Sequence, residues 1–239
     1  MTSTAQSANQ IGLRLQQVQD RIVTAANRAG RTPIDVTLVA VTKTHAPAVV
    51  LEAIAAGATD LGENKVQEAE KKIPQVGRQR ARWHFIGHLQ SNKARKSVAL
   101  FDVIHSLDSV SLARKLDRNC VEDNRQELPV LIQVDLGHEA TKTGADESEL
   151  PSIAEAVGKC RHLRLHGLMT LPPFFEEAER ARPFFRRLRE LRDELASRGA
   201  FGDRAGDLSM GMTNDFEIAI EEGATIVRVG TAIFGKRQK

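Results

Sequence analysis

At 239 residues the chain exceeds an average single domain but lies within the size at which an α/β barrel folds round one core, so length does not demand two domains. With 41% hydrophobic and 27% charged residues it is ordinary for a globular protein, and no apolar run nears the roughly eighteen residues of a membrane span. Lys and Arg total 34 against 31 Asp and Glu, so the net charge of +3 carries no basic surplus that calls for nucleic acid.

The opening MTSTAQSANQ is polar, with no apolar stretch behind a basic one, and a cytoplasmic protein is expected. A helix is expected over residues 8–29. Eight β-like runs follow: VTLVAV (36–41), DLGE (60–63), RWHFIG (82–87), DVIHSL (102–107), VLIQVDL (130–136), LRLHGLMTL (163–171), DLSMGM (207–212) and TIVRVG (225–230). Helical stretches separate them and no Pro/Gly/Ser-rich linker intervenes, so the strands should pair in parallel within one domain, residues 1–239. Pro47 opens a helix that Gly57 ends, and Asn214 with Glu217 has the spacing of a capping box before a helix ended by Gly223. IAAGATDLG (54–62) echoes IEEGATIVRVG (220–230), as repeated βα units would. The expected fold is a single (β/α)8 TIM barrel with an extra N-terminal helix over one end or side. Within 179–195, Phe184, Phe185, Leu188, Leu191 and Leu195 recur at helical spacing with the arginines mostly elsewhere, which reads as a solvated helix face. Cys120 and Cys160 lack metal-ligand spacing, so neither a metal centre nor a disulfide framework is expected.

Residues where barrel strands stop face the mouth. Lys43 stands there after TLVAV, and at the rim of an apolar core its ammonium form is disfavoured, leaving an amine able to attack an aldehyde. A solvated lysine just past a strand fits the same position. LSMGMTND and VRVGTAIFG occupy the last two strand-end loops, where barrels frequently hold phosphate. Ser209 offers a hydroxyl, Gly211 and Gly230 permit close backbone approach, amides near Gly230 and Thr231 suit an anion, and Asn214 and Asp215 open a helix. Any one of these glycines also fits a plain turn. Arg228 shares a face with Gly230 and, if buried, needs a partner. It is either half of a structural ion pair with a neighbouring strand or a fixed charge that keeps a facing pyridine nitrogen unprotonated. Further rim candidates are Asn64, Lys65, His84, His88, Ser106, Asp108, Asp135, Lys142 and Thr143. Of these, His84 is expected to be a hydrogen-bonded core histidine, His88 to be exposed, and Asp135 simply to end its strand.

The motifs AVTKTH, DLGENKVQEAEKK, RWHFIGHLQSNKAR, LIQVDLGHEATKTG, LHGLMTLPP, LSMGMTNDFEIAI and GATIVRVGTAIFG occur in that order. Together they closely resemble the pyridoxal phosphate homeostasis protein family, short relatives of the alanine racemase barrel, over nearly the whole chain. The resemblance implies pyridoxal 5'-phosphate (PLP) held as a Schiff base on Lys43, its phosphate at Ser209, Gly230 and Thr231, and Arg228 at the pyridine nitrogen. It places Asn64 near the cofactor with Lys142 as a neighbour, and carries no role to His88 or Glu139. It further implies a monomer or weak dimer associated with vitamin B6 and amino-acid balance, with no assigned turnover.

Racemisation through PLP needs acid-base groups on both faces of the substrate carbon, and racemases of this barrel family use the lysine and a tyrosine. The chain has no tyrosine and ends soon after Thr231, without a C-terminal β-domain. The preferred reading is therefore a PLP carrier that releases its cofactor to apo-enzymes by transimination. The alternatives are a PLP-dependent amino-acid racemase, and a PLP-free barrel acting as an aldolase or as an RNA-binding module through its Arg180–Arg192 helix.

Overall fold

Long apolar runs such as TLVAV and IVRV suit strands covered on both faces, by helices outside and by side chains within a closed sheet. The computed structural model describes residues 2–137 and 143–235, with side chains from residue 10 onward. Its strands are β1 (Thr37–Val41), β2 (Asp60–Glu63), β3 (Arg82–Phe85), β4 (Val103–Leu107), β5 (Leu128–Val134), β6 (Leu163–Thr170), β7 (Asp207–Ser209) and β8 (Ile226–Val229). Each pairs in parallel with the next, and β8 returns to β1, closing the expected eight-stranded barrel. Inside the ring, Val39, Val103, Leu131, Met169 and Ile226 form a small apolar plug. The larger core fills the layer between the strands and the helices.

Helix α1 (Thr2–Arg28) buries Ile11, Leu15, Val18, Ile22, Ala25 and Ala26, spaced three or four residues apart. This stripe packs on α2 (Pro47–Ala55), α8 (Phe216–Glu221) and α9 (Thr231–Phe234), so the extra helix covers the side of the barrel where β8 meets β1. Between lie α3 (Val66–Val76), α4 (Ala94–Leu100), α5 (Val110–Glu122), α6 (Leu150–Gly158) and α7 (Arg182–Ser197). Among the described residues no helix is long and apolar enough to cross a membrane.

One sequence expectation needs revision. The capping box at Asn214 and Glu217 does not form: Asn214 Nδ2 donates to the Phe175 carbonyl, and Glu217 pairs with Arg21 at 2.8 Å. Long-range partners capture both side chains, leaving Asp215 at the N-cap without a side-chain capping bond. On α7, Phe185, Leu188, Leu191 and Leu195 are buried as their spacing predicts, and the arginine face is partly exposed and also ion-paired. Arg182 meets Glu179, Glu221 and Glu222; Arg186 and Arg189 meet Glu222; Arg187 meets Glu147, Glu190 and Glu194. Each of these guanidinium groups thus has a carboxylate partner within salt-bridge distance.

Candidate functional site

The C-terminal strand ends open on a cavity of about 400 Å³. Lys43 enters it from the end of β1, Asn64 from β2, Gly87 from β3, Thr213 from beyond β7, and Arg228, Gly230 and Thr231 from β8. A second hollow, of about 370 Å³, lies at the other end of the barrel around the start of β6, where such folds keep stability rather than chemistry.

Lys43 is half-buried between two anchored neighbours. The Thr42 hydroxyl donates to Glu63 at 2.5 Å, and the Thr42 carbonyl accepts from Lys72 Nζ at 2.7 Å. On the other side, the Thr44 amide donates to Glu68 at 2.5 Å, with Thr44 held at φ 69° in the left-handed region, a costly conformation for a β-branched residue. Lys72 binds both Glu63 and Glu68, so one buried ammonium ties the backbone on each side of Lys43 to α3. Burial pushes the Glu63 carboxyl up, against the pull of Lys72.

Asn64 is positioned by close backbone approach. A Cβ on Gly87 would lie 2.1 Å from the Asn64 carbonyl oxygen, so the turn after β3 admits only glycine without displacing Asn64. Gly87→Ala should cost about 1–3 kcal/mol of stability through this overlap, measurable by urea unfolding, and should shift the cavity wall at Asn64.

Arg228 reaches the cavity floor with its guanidinium nine-tenths or more buried. It donates to Ser209 Oγ at 2.7 Å and to the Thr170 carbonyl at 2.9 Å, both neutral partners, instead of forming the ion pair weighed from sequence. Burial lowers its pKa to about 10, still far above neutrality, while the Asp215 carboxylate favours its charge.

The expected site residues therefore divide. Lys43, Asn64, Arg228, Gly230 and Thr231 line one cavity, whereas Ser209 and Gly211 do not. Ser209 is fully buried below the floor, its hydroxyl shared between Arg228 and His105. Gly211 is buried at φ 90°, where a Cβ would meet Ala219 at 2.6 Å and the Phe216 backbone at 2.8 Å, so it seats α8 against the barrel. The wall assigned to these two is supplied by Thr213, whose hydroxyl accepts from the Ala232 amide at 3.4 Å. Its signal was present in LSMGMTND as a second hydroxyl, past the glycine turn.

Of the remaining candidates, His84 is buried and hydrogen-bonded as expected, and His88 is exposed, 3.6 Å from Asp108. Lys65 is exposed, Ser106 buried, Asp135 accepts from the Gly137 amide, and the Thr143 carbonyl accepts from Gln133. Lys142 and Glu139 lie outside the described residues.

His105, which the sequence reading passed over, stacks edge-on with His84. Burial holds His84 below the ordinary histidine value despite its bond to Asp60, and burial with His84 and Arg228 beside it holds His105 well below. The unfolded chain takes up protons near pH 6.5 while these rings stay neutral. Their contribution is thus fully present above that pH and is lost as pH falls below it. Urea unfolding at pH 5.5 should show a loss of about 1.4 kcal/mol relative to pH 8 for each ring still neutral, and His105→Phe should lose less over the same interval.

A closed parallel barrel with a lysine after its first strand and an arginine in its last defines an alanine-racemase-type barrel, and residues 13–238 match the family described as alanine racemase, N-terminal domain. The pyridoxal phosphate homeostasis protein of Aquifex aeolicus is 43% identical over 225 residues, covering 94% of this chain and 97% of its own. That of Escherichia coli K12 is 41% identical over 235 residues, covering 96% and 97%. PipY of Synechococcus elongatus, solved with PLP bound, is 37% identical with a TM-score of 0.79, covering 95% of this chain and 100% of that one. Alanine racemase of Corynebacterium glutamicum, 19% identical with a TM-score of 0.67, covers 93% of this chain and 62% of its own and shares the fold alone. The chain belongs to the pyridoxal phosphate homeostasis protein family.

Proposed function

We propose that this chain holds PLP reversibly in the mouth cavity, keeps the free aldehyde scarce, and gives the cofactor up to apo-enzymes. The observation that carries this reading is that Lys43 and Arg228 line one cavity with Gly230 and Thr231. That set offers an amine for an aldehyde, a cation for a ring nitrogen and close backbone for a phosphate. At about 400 Å³ the cavity falls in the range of ordinary cofactor pockets, roughly 300–1,000 Å³.

When bound, PLP supplies an aldehyde that condenses with the Lys43 amine to a Schiff base, releasing water. The anchors on Thr42 and Thr44 orient Lys43 toward the cavity. The amides around Gly230 and Thr231, with the Thr213 hydroxyl, would receive the phosphate, and Asn64 would flank the ring. Arg228, charged and fixed at the floor, disfavours a proton on a nitrogen beside it. A carrier is preferred to a racemase because no tyrosine exists to serve as the second acid-base group. The same reading makes the protein a cytoplasmic monomer or weak dimer whose partners are apo PLP enzymes.

Borohydride reduction of the PLP-treated protein followed by peptide mass spectrometry should place a pyridoxyl group on Lys43. An adduct confined to another lysine would overturn the site, and Lys43-dependent formation of D-alanine or D-serine would replace the carrier with a racemase.

A further inference from the structure

Behind Arg228 the barrel interior holds a line of polar side chains that cavity chemistry leaves unexplained. Arg228 Nη1 lies 2.7 Å from Ser209 Oγ, and Ser209 Oγ lies 2.9 Å from His105 Nδ1. His105 Nε2 lies 2.8 Å from His84 Nδ1, and His84 Nε2 lies 2.9 Å from Asp60 Oδ1. Arg228, Ser209, His105 and His84 are each no more than 3% exposed, so water cannot substitute for any link. At one end Asp60, where β2 begins, approaches solvent, and at the other Arg228 meets the cavity.

The two ends dictate the direction. A guanidinium only donates and a carboxylate only accepts, while each neutral imidazole between them has one N–H and one lone pair. A single arrangement satisfies every contact. Arg228 donates to the Ser209 oxygen, the Ser209 hydroxyl to His105 Nδ1, His105 Nε2–H to His84 Nδ1, and His84 Nε2–H to Asp60. Protonating His84 would set two N–H groups against each other across 2.8 Å. Reversing the His105 tautomer to relieve this would leave the Ser209 hydrogen without an acceptor, because that oxygen would then receive from both sides.

We infer that Asp60, His84, His105 and Ser209 form a positioning relay that fixes the Arg228 guanidinium at the cavity floor. Asp60 sets the His84 tautomer, His84 sets that of His105, and His105 turns the Ser209 lone pair toward Arg228. Burial pushes the Asp60 carboxyl up, but hydrogen bonds from His84 and Thr59 outweigh it and keep Asp60 ionised. The relay supplies in sequence what Arg228 lacks in contact, a carboxylate at the far end of a polarised chain. Its effect on cofactor binding rests on the PLP reading given above; the tautomers do not.

Long-range nitrogen–proton NMR of the full chain labelled with 15N-histidine tests this directly at pH 8, with and without PLP. His84 and His105, assigned by their loss in His84→Gln and His105→Gln, should both be neutral, protonated at Nε2 and bare at Nδ1. A proton on Nδ1 of either ring would overturn the relay whatever PLP does. Ser209→Ala, which breaks the line outside the cavity, should weaken PLP binding at least fivefold and shift the absorption maximum of the bound cofactor, with His84→Gln doing the same to a smaller extent. Folded variants that bind PLP with unchanged affinity and spectrum would also overturn it. A wild-type chain that binds no PLP yet shows the expected tautomers would sink the carrier reading and leave the relay standing.

Discussion

Lys43→Ala should leave the barrel folded and remove every trace of borohydride-trapped PLP. Lys43 projects into the cavity and belongs to neither apolar core, so truncating it should change stability by no more than about 0.5 kcal/mol. The proposed covalent link, by contrast, has no substitute at that position. PLP affinity should fall by about 100-fold or more, roughly 2.7 kcal/mol, with the remainder carried by the phosphate and ring contacts. Absorbance titration against wild type reads the affinity, and mass spectrometry after reduction reads the adduct. A variant that still traps one pyridoxyl group would show that another amine is the attachment point.

Lys72→Met should be the most destabilising single change near the site, costing about 3–5 kcal/mol, because it strands the Glu63 carboxylate where no water reaches. One Glu63 oxygen already lacks a hydrogen-bond partner, so the Thr42 hydroxyl on the other oxygen would be left as its donor. The change also leaves the Thr42 carbonyl with the His45 amide alone and loosens Glu68, which holds the Thr44 amide. Stability and PLP affinity should therefore fall together. Adding Glu63→Gln to Lys72→Met should restore much of the stability, since the stranded charge is gone, but not the anchoring of Thr42. Urea unfolding of the four-member cycle measures the coupling, and additive losses would show that the pair is not a unit.

The strands were legible because each is a short run with apolar residues at its centre, followed by a turn and a helix. All eight observed strands fall inside the predicted runs, apart from two residues by which β5 begins earlier. Lys43, Arg228, Gly230 and Thr231 were legible for a related reason, since a strand end in a barrel has only one direction to face. Ser209 and Gly211 were singled out for a hydroxyl and for close backbone approach, and neither property says at what depth a residue sits: Ser209 is buried against Arg228, and after the left-handed turn at Gly211 Met212 to Asp215 line the cavity. The pairing of His84 with His105 was hidden differently. Each lies mid-strand in a separate apolar run, and their contact depends on the register of β3 with β4, in which His84 aligns with Val103. The pairs Asn214–Phe175 and Glu217–Arg21 likewise join segments far apart in sequence, and local spacing contains no record of them.

The seam where β8 pairs with β1, Ala40 beside Val229, joins segments far apart in the chain. Lys43 lies two residues beyond β1, Arg228 within β8 and Gly230 just after it, and they become neighbours only when the ring shuts. A ligand gripped from both sides of this joint favours the shut ring by mass action and so steadies the pairing on which its own binding depends.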